Sequence, residues 1–395
     1  MKYDFESLVD RRNLGSAKWM DMINKNPLVS ADVVPLSVAD MEFKHPRKLI
    51  EALKTYLDTS ILGYTMADDN FYEAVIAWFK RRHNFKVEKE WIVNTGGVVP
   101  AFFNAIRNLS DENNGVIVFS PVYYPFYKAI NNQKRRLVDC PLINNKGHYE
   151  IDFDLFDKQA CKKENKILLF CSPHNPVGRV WSKKELEALA DIIIKNDLIL
   201  LSDEIHSDLI MKGFKHTVFQ TISEELSQRT ITMTAPSKSF NLAGMGLSNI
   251  IIKNEKLREK FKEGLINTGQ VPLTALSYKA CEIAYNQCED WLDECISVID
   301  KNQRLVHDFF KNSYPQIKAC LIEGTYLQWI DFRGLNIDYK ELEKFMVYEA
   351  ELFLDEGYIF GDNGKGFERM NLAVPSKVIE NSLKRLDRAL KARGY

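Results

Sequence analysis

Four uninterrupted apolar runs in the middle of the chain restrict the possible folds more than any other feature. They are G-V-I-V-F-S, K-I-L-L-F-C, L-I-L-L and T-I-T-M, at residues 115–120, 166–171, 198–201 and 230–233. Runs without polar alternation indicate strands that are buried on both faces, as in a mostly parallel sheet covered by helices. The sequence therefore predicts an α/β fold with a mostly parallel central sheet.

Polar or aromatic residues follow each of these runs. The four following segments are P-V-Y-Y-P-F, S-P-H-N-P-V-G-R, S-D-E-I-H and T-A-P-S-K. In open α/β sheets, ligands bind beyond the carboxyl ends of the strands. We therefore expect the four segments to meet in one crevice, which would contain Tyr123, Asn175, Asp203, His206 and Lys238.

The length of 395 residues predicts two domains, because a single hydrophobic core seldom grows this large. No low-complexity linker divides the chain, so the smaller domain is expected to contain both termini. We predict an irregular N-terminal arm at residues 1–45 that belongs to the smaller domain, a large domain at 46–288, and the rest of the smaller domain at 289–395.

Composition and charge exclude several classes of protein. The net charge of −1 provides no general attraction to nucleic acid or to an anionic membrane, and no apolar run approaches 18 residues. The N-terminus lacks the apolar segment of a signal peptide. Seven scattered cysteines without a C-x-x-C pair argue against a disulfide framework or a zinc site. We predict a cytoplasmic protein that binds no metal, nucleic acid or membrane.

Lys238 and Asp203 could take part in chemistry on an aldehyde cofactor. Lys238 follows a strand in a predicted turn, where its amine could attack an aldehyde such as pyridoxal phosphate. A buried carboxylate at Asp203 needs a cation, and a protonated pyridine nitrogen is one. The alternatives are a solvated surface lysine and a helix N-cap aspartate, and the residues alone leave both open.

Further candidates are ambiguous when each is considered alone. Gly96 and Gly97 precede an amphipathic helix and could admit an anion to its N-terminus, or could form a plain tight turn. Asn175 could donate to a phenolate or serve a turn. Tyr123 offers a face for ring stacking, and His206 lies three residues after Asp203.

Two residues outside the four segments are also candidates. Arg369 follows a glycine-rich loop and could hold an α-carboxylate with its guanidinium fork, or could pair with Glu368 at the surface. Tyr64 stands in a loop and by default is a partly buried aromatic residue.

The order of these motifs resembles that of the fold-type I pyridoxal-phosphate enzymes, the aspartate aminotransferase superfamily. More narrowly it resembles the PatB/MalY-type carbon–sulfur β-lyases, which are cystathionine β-lyases and cysteine desulfhydrases. The matching motifs between Ser37 and Ala373 are S-V-A-D-M-E-F, G-V-V-P-A, P-V-Y-Y-P-F, C-S-P-H-N-P-V-G-R-V-W, S-D-E-I-H, A-P-S-K-S-F-N-L-A-G, E-G-T-Y-L-Q-W and E-R-M-N-L-A. The resemblance implies a large domain with a mostly parallel sheet, a smaller α+β domain, and pyridoxal 5′-phosphate as cofactor.

The resemblance also assigns roles to residues. It makes Lys238 the Schiff-base lysine and general base, Asp203 the partner of the ring nitrogen, and Tyr123 the stacking ring, so that these three are catalytic. The implied cofactor-binding residues are Gly97, Val98, Tyr123, Asn175, Asp203, His206, Ser237, Lys238 and Tyr64, the last from a neighbouring subunit. The implied substrate-binding residues are Arg369, Asn175 and Tyr124.

The implied reaction is α,β-elimination of L-cysteine or L-cystathionine to pyruvate, ammonia and a thiol, in a homodimer with shared active sites. Two departures weaken an aminotransferase reading: His206 stands where aminotransferases often have tyrosine, and Gly246 where they often have arginine. An aminotransferase and, more distantly, a regulatory or binding protein on the same fold remain as alternatives.

Overall fold

A computed structural model describes residues 2–269 and 273–395; Met1, the first residue of the predicted arm, lies outside them. Within this part of the chain the α-helices are α1 (Ala17–Lys25), α2 (Arg47–Thr59), α3 (Asp69–His83), α4 (Val98–Leu109), α5 (Pro125–Asn132), α6 (Phe153–Ala160), α7 (Lys183–Lys195), α8 (Glu224–Ser227), α9 (Pro236–Ser239), α10 (Glu255–Asn267), α11 (Ala275–Gln287), α12 (Glu289–Ser313), α13 (Tyr339–Lys344) and α14 (Ser376–Ala392). The strands are β1 (Ile92–Thr95), β2 (Gly115–Val118), β3 (Arg136–Asp139), β4 (Ile143–Asn145), β5 (His148–Glu150), β6 (Asn165–Cys171), β7 (Ile199–Asp203), β8 (Thr230–Thr234), β9 (Ser248–Ile251), β10 (Lys318–Ala319), β11 (Leu327–Asp331), β12 (Asp355–Glu356) and β13 (Phe367–Asn371).

The central sheet has seven strands in the order β1-β9-β8-β7-β6-β2-β3. The four apolar runs form β2, β6, β7 and β8, which are neighbours and pair in parallel, while β9 runs antiparallel to both of its neighbours. The predicted mostly parallel sheet is confirmed. In its register Asp203 lies opposite both Cys171 and Met233, so β6, β7 and β8 end at one level.

Successive residues of the central strands belong to different hydrophobic cores. In β6, Ile167 and Leu169 pack into the core beneath α4, α5 and α10. Leu168 and Phe170 pack into the opposite core, which contains buried residues of α6 and α7. Because both faces of the strand are covered from Ile167 onward, no position there favours a polar side chain, which explains the uninterrupted apolar run.

The N-terminal segment is held against a second, antiparallel sheet with the order β10-β11-β13-β12. The Leu36 N–H donates to the Phe353 carbonyl at 2.8 Å, and the Leu36 carbonyl accepts from the Asn371 N–H at 2.8 Å. The Glu42 N–H donates to the Ala373 carbonyl at 2.9 Å. These bonds join the two ends of the chain; the boundaries proposed at residues 45 and 288 stay a prediction.

Two local predictions are wrong. The arm is not irregular throughout, since α1 buries Trp19 and Met22, three residues apart on one helical face. Lys238 does not lie in a plain turn but in the short helix α9, which begins with Pro236 in a first-turn position that proline favours.

The cysteines and the helices bear on compartment and membrane. All seven cysteines are free thiols, and Cys281, Cys288 and Cys295, which recur every seven residues, are buried in a hydrophobic core. Among the described helices, none combines the length and apolar character that crossing a membrane requires.

Candidate active site

A cavity of about 250 Å³ lies beyond the carboxyl ends of β6, β7 and β8. Ten residues singled out from the sequence line it: Gly96, Gly97, Val98, Tyr123, Asn175, Asp203, His206, Ser237, Lys238 and Gly246. The strand ends therefore converge as expected, because parallel strands that stop at one level leave their following loops on the same side of the sheet.

Lys238 lines this cavity and is not a solvated surface lysine. Its Nζ donates to the carbonyl oxygen of Ala39 at 2.7 Å, and that oxygen also accepts from the Tyr326 hydroxyl at 2.8 Å. Burial of the ammonium, with a further contribution from the nearby charge of Arg369, lowers the pKa of Lys238 to about 8. A neutral amine, which is nucleophilic and basic, is therefore accessible near physiological pH.

Asp203 ends β7 and caps no helix, so the N-cap alternative is wrong. It is buried, and it accepts a hydrogen bond from the Ile205 N–H at 3.2 Å. No cationic side chain of the described residues forms an ion pair with it, and burial raises the pKa of Asp203 to about 7. A cationic group bound in the cavity would supply the missing charge.

His206 is buried and neutral. Its ring packs edge-on against Tyr326, with centroids 5.7 Å apart. Burial lowers the pKa of His206 well below its ordinary value, and its Nδ1 has no hydrogen-bond partner within the described part of the protein. Because a buried polar atom without a partner is costly, this nitrogen is available to a ligand group.

The N-terminus of α4 opens into the cavity through the glycine pair. Gly97 precedes the helix with φ at +150°, and a Cβ built on Gly96 would meet no heavy atom within 4 Å. Ser237 adds a hydroxyl to the cavity lining. Open space at a helix N-terminus suits an anion such as a phosphate, because the unpaired N–H groups and the helix dipole both favour negative charge.

The conformation of Gly246 explains why this chain lacks the arginine that aminotransferases often have at this position. Gly246 lines the cavity with φ at +59°, and a Cβ there would lie 3.6 Å from the Gly96 carbonyl oxygen. A left-handed backbone beside the glycine pair suits glycine and disfavours arginine. Among the described residues that line the cavity, Lys238 is the one cationic side chain.

Arg369 is buried next to this cavity rather than at the surface. Its Nη1 donates to the Asn175 Oδ1 at 2.8 Å, and its Nη2 lies 2.6 Å from the Asp355 carboxylate. Its guanidinium lies over the Phe360 ring, 4.7 Å from the centroid. The alternative of a surface pair with Glu368 is wrong, and because Asn175 accepts through Oδ1, its amide N–H groups remain to donate elsewhere.

The three tyrosines occupy different places. Tyr123 lines the cavity, and burial raises its phenol pKa above the ordinary value. Tyr124 does not line the cavity, but its ring contacts that of Tyr123 with centroids 5.4 Å apart. Tyr64 is fully exposed, so the default reading of a partly buried ring is wrong, and within this chain it does not reach the cavity.

Three residues with clear contacts to the site were not assigned a role from the sequence. They are Ala39, which accepts from Lys238, Tyr326, which donates to the Ala39 carbonyl, and Asp355, which accepts from Arg369. The motifs S-V-A-D-M-E-F and E-G-T-Y-L-Q-W contain the first two. A backbone carbonyl such as that of Ala39 leaves no trace in residue type, so only the position of the motif could have indicated it.

A family model and a named relative both match this chain over most of its length. Residues 31–386 match the family model described as aminotransferase class I and II. The chain is 35% identical to the cystathionine β-lyase PatB of Bacillus subtilis, covering 98% of this chain and 100% of PatB.

Two solved structures are similar to this chain in both sequence and fold. Cystalysin from Treponema denticola, whose crystal structure contains pyridoxal 5′-phosphate, is 58% identical with a TM-score of 0.98, covering 99% of this chain and 100% of that one. The pyridoxal-phosphate-bound C–S lyase from Staphylococcus hominis is 32% identical with a TM-score of 0.90, covering 99% and 98%. The predicted fold type I class and the predicted family resemblance are confirmed.

Proposed function

We propose that this chain, which belongs to the class I and II aminotransferase family, is a pyridoxal-phosphate-dependent carbon–sulfur β-lyase. It releases pyruvate, ammonia and a thiol from a small sulfur-containing amino acid, L-cysteine or L-cystathionine. The observation that carries the proposal is one cavity lined by a lysine of lowered pKa and a buried carboxyl group without an ion-pair partner. The names of PatB and of the C–S lyase from S. hominis support this choice.

The residues present fit pyridoxal 5′-phosphate. Asp203 would hold the ring nitrogen, and the α4 N-terminus with Gly97, Val98 and Ser237 would hold the phosphate. Asn175 would donate to the phenolic oxygen, and Tyr123 would contact the ring face. When bound, the cofactor supplies an electron sink for the electron pair left at the substrate Cα.

Lys238 is the proton acceptor at that carbon. Its amine would hold the cofactor and, when a substrate amine takes its place, would be free to accept a proton. A pKa near 8 leaves a substantial neutral fraction, which removes the proton from Cα while the β-thiolate departs. The Ala39 carbonyl, 2.7 Å from Nζ, directs the amine in the free protein.

Arg369 and Asn175 hold the substrate carboxylate. The guanidinium is buried, so its charge is weakly screened, and the hydrogen bond to Asn175 ties the two groups together. A fixed carboxylate restricts rotation about the Cα bonds, which places the Cα–H bond in the orientation that proton removal requires.

Pyruvate release tests the activity directly. The purified holoenzyme is expected to form pyruvate from L-cysteine, from L-cystathionine, or from both, and Lys238→Ala is expected to abolish it. Borohydride reduction followed by peptide mass spectrometry should place the cofactor mass on Lys238. Transfer of the amino group to a 2-oxo acid without pyruvate formation would identify an aminotransferase instead, and a cofactor mass on another lysine would contradict the assignment.

A homodimer and a cytoplasmic location complete the proposal. Tyr64 is fully exposed in a segment that also exposes Ile61, Leu62 and Met66, and an apolar cluster of this kind favours burial against a second copy. In that dimer Tyr64 would reach the phosphate of the neighbouring site. Seven free thiols favour a reducing compartment.

A further inference from the structure

One oxygen of Asp355 holds both the arginine and the loop beside the cavity. Asp355 Oδ2 accepts from the Arg369 Nη2 at 2.6 Å and from its Nε at 3.2 Å. The same oxygen accepts from the Val38 N–H at 3.0 Å. Since a carboxylate oxygen that accepts three hydrogen bonds fixes all three donors relative to one another, Asp355 joins the guanidinium to the Val38 backbone.

The turn at Val38 is a conformation that needs such support. Val38 has φ at +53°, a left-handed conformation that is rare and strained for a β-branched residue. The Asn371 amide donates to the carbonyls of Val38 and Asp40, both at 2.7 Å. The next carbonyl, that of Ala39, accepts from Lys238. The turn thus connects Asp355 with the lysine of the cavity.

We propose that Asp355 is a positioning residue that sets the orientation of Arg369 for the substrate α-carboxylate. This inference rests on the proposed function of Arg369. Of the five guanidinium N–H groups, two donate to Asp355 and one to Asn175, which leaves one on each terminal nitrogen. Those two N–H groups are the ones that a substrate carboxylate can take.

A positional role and an electrostatic role of Asp355 predict opposite results for the conservative variants Asp355→Asn and Asp355→Glu. Asp355→Asn keeps an oxygen acceptor at the same reach and removes the charge, whereas Asp355→Glu keeps the charge and displaces it by one methylene. If Asp355 acts through position, the asparagine variant retains function and the glutamate variant loses it. If it acts as a negative charge that opposes the substrate carboxylate, removing it should tighten binding.

The test compares a ligand that has the α-carboxylate with one that lacks it. L-Alanine and ethylamine are titrated into the holoenzyme, and binding is followed by the change in the visible spectrum. The native protein is expected to prefer L-alanine. In Asp355→Ala and Asp355→Glu this preference should fall by about tenfold or more, because the acceptor that orients the guanidinium is removed or displaced, while ethylamine affinity stays within about threefold. Asp355→Asn should keep the preference within about threefold of native.

Glu356→Ala is the matched control. Glu356 is the next residue of β12, its side chain is 13% exposed like that of Asp355, and it pairs with Lys25 at 2.7 Å rather than with Arg369. Glu356→Ala should therefore keep the native preference for L-alanine over ethylamine. Thermal unfolding is measured for all variants to check that they fold.

Three outcomes would overturn the inference. They are an unchanged preference in both Asp355→Ala and Asp355→Glu, tighter L-alanine binding in Asp355→Ala, and a preference lost in Asp355→Asn but kept in Asp355→Glu. If Asp355→Ala does not fold, the comparison of Asp355→Asn with Asp355→Glu still tests the inference. Arg369→Ala distinguishes the underlying proposal: if it too leaves the preference unchanged, the carboxylate role of Arg369 fails, whereas a loss confined to Arg369→Ala leaves that role intact and removes Asp355 alone.

Discussion

At the residue scale, burial moves the pKa values of the two central groups towards each other. It lowers the pKa of Lys238 to about 8 and raises that of Asp203 to about 7. Both shifts have one cause, because a low-dielectric site disfavours the charged form of an acid and of a base alike. The cavity is therefore prepared for a ligand that brings a positive ring nitrogen to the carboxyl group and an aldehyde to the amine.

The lowered pKa of Lys238 predicts the pH dependence of cofactor attachment to the apoprotein. Only the neutral amine attacks the aldehyde, so the attachment rate should rise with pH and level off above about pH 8, well below the ordinary lysine pKa of 10.5. Arg369→Ala removes a positive charge that lowers this pKa, so its profile should shift to higher pH. Stopped-flow absorbance over pH 6–10 measures both.

A surface arginine provides the control for this experiment. Arg333 pairs with Asp331 at 2.7 Å and does not line the cavity, so Arg333→Ala should leave the profile in place. A native rate that continues to rise beyond pH 9 would contradict the lowered pKa.

The two polar residues expected on the cofactor ring should differ in importance. Asp203→Asn removes the charge that keeps the ring nitrogen protonated, whereas Asn175→Ala removes one hydrogen bond to an oxygen and the contact with Arg369. The loss of a charged hydrogen bond alone corresponds to about 1.5–3 kcal/mol, and the weakened electron sink adds to it. We expect kcat for pyruvate formation to fall further in Asp203→Asn, measured at saturating cofactor; equal losses would refute the electron-sink role.

At the element scale, α7 shows a local signal that can be tested separately from catalysis. A capping box begins this helix, with the Ser182 hydroxyl accepting from the Glu185 N–H at 3.3 Å. Ser182→Ala should lower the free energy of unfolding by about 0.5–2 kcal/mol and leave kcat unchanged. Chemical denaturation and the pyruvate assay would check the two parts.

Glu185→Ala should be more damaging than Ser182→Ala. Besides capping α7, the Glu185 carboxylate accepts from the buried Arg179 guanidinium at 3.0 Å. Removing it leaves a buried cation with one partner fewer, which costs more than an exposed cap. A smaller loss of stability than in Ser182→Ala would contradict this reading of the contact.

The ends of the central strands could be predicted from the sequence, because the change from apolar to polar residues occurs within a few consecutive positions. A doubly buried strand such as β7 is apolar over most of its length, so the polar pair that ends it, Ser202 and Asp203, stands out. Helix α1 was missed because its nine residues mix Lys18 and two acidic or amide positions with Trp19 and Met22, and Lys18 is itself buried. Its burial depends on distant carboxylates that periodicity does not show.

The contacts of Asp355 and Ala39 could not be predicted from the sequence. Asp355 lies in a two-residue strand, 14 positions before Arg369, and the pair forms because β12 and β13 are adjacent. Ala39 acts through its backbone carbonyl. Neither residue type nor spacing along one element encodes such contacts, since they arise when separate segments assemble.

At the scale of the whole molecule, the N-terminal arm and the C-terminal sheet meet beside the cavity, which Ala39 of the arm lines. A buried network behind the turn at residues 38–40 contains Lys18, whose Nζ lies 2.8 Å from both Asp40 and Glu42, and Arg11, which pairs with the same two carboxylates. Two cations and two carboxylates balance in charge, so each charged group of the network has an opposite partner. The N-terminal arm is thus fixed beside Lys238 by ion pairs as well as by the C-terminal sheet.

The exposed apolar segment at residues 61–66 leads to the last prediction, that the protein is an obligate homodimer through this surface. Ile61 is 93% exposed, and exposing a cluster of large apolar side chains to water is unfavourable unless a partner covers it. Ile61→Asp should therefore produce monomers in sedimentation equilibrium and lose cofactor affinity, because Tyr64 would no longer reach the neighbouring site. Leu28→Asp is the matched control, since Leu28 is 92% exposed and lies outside this segment, and it should stay dimeric. Tyr64→Phe should remain a dimer yet bind the cofactor more weakly, which separates the hydroxyl contact from assembly. A native protein that is fully active as a monomer would contradict the prediction.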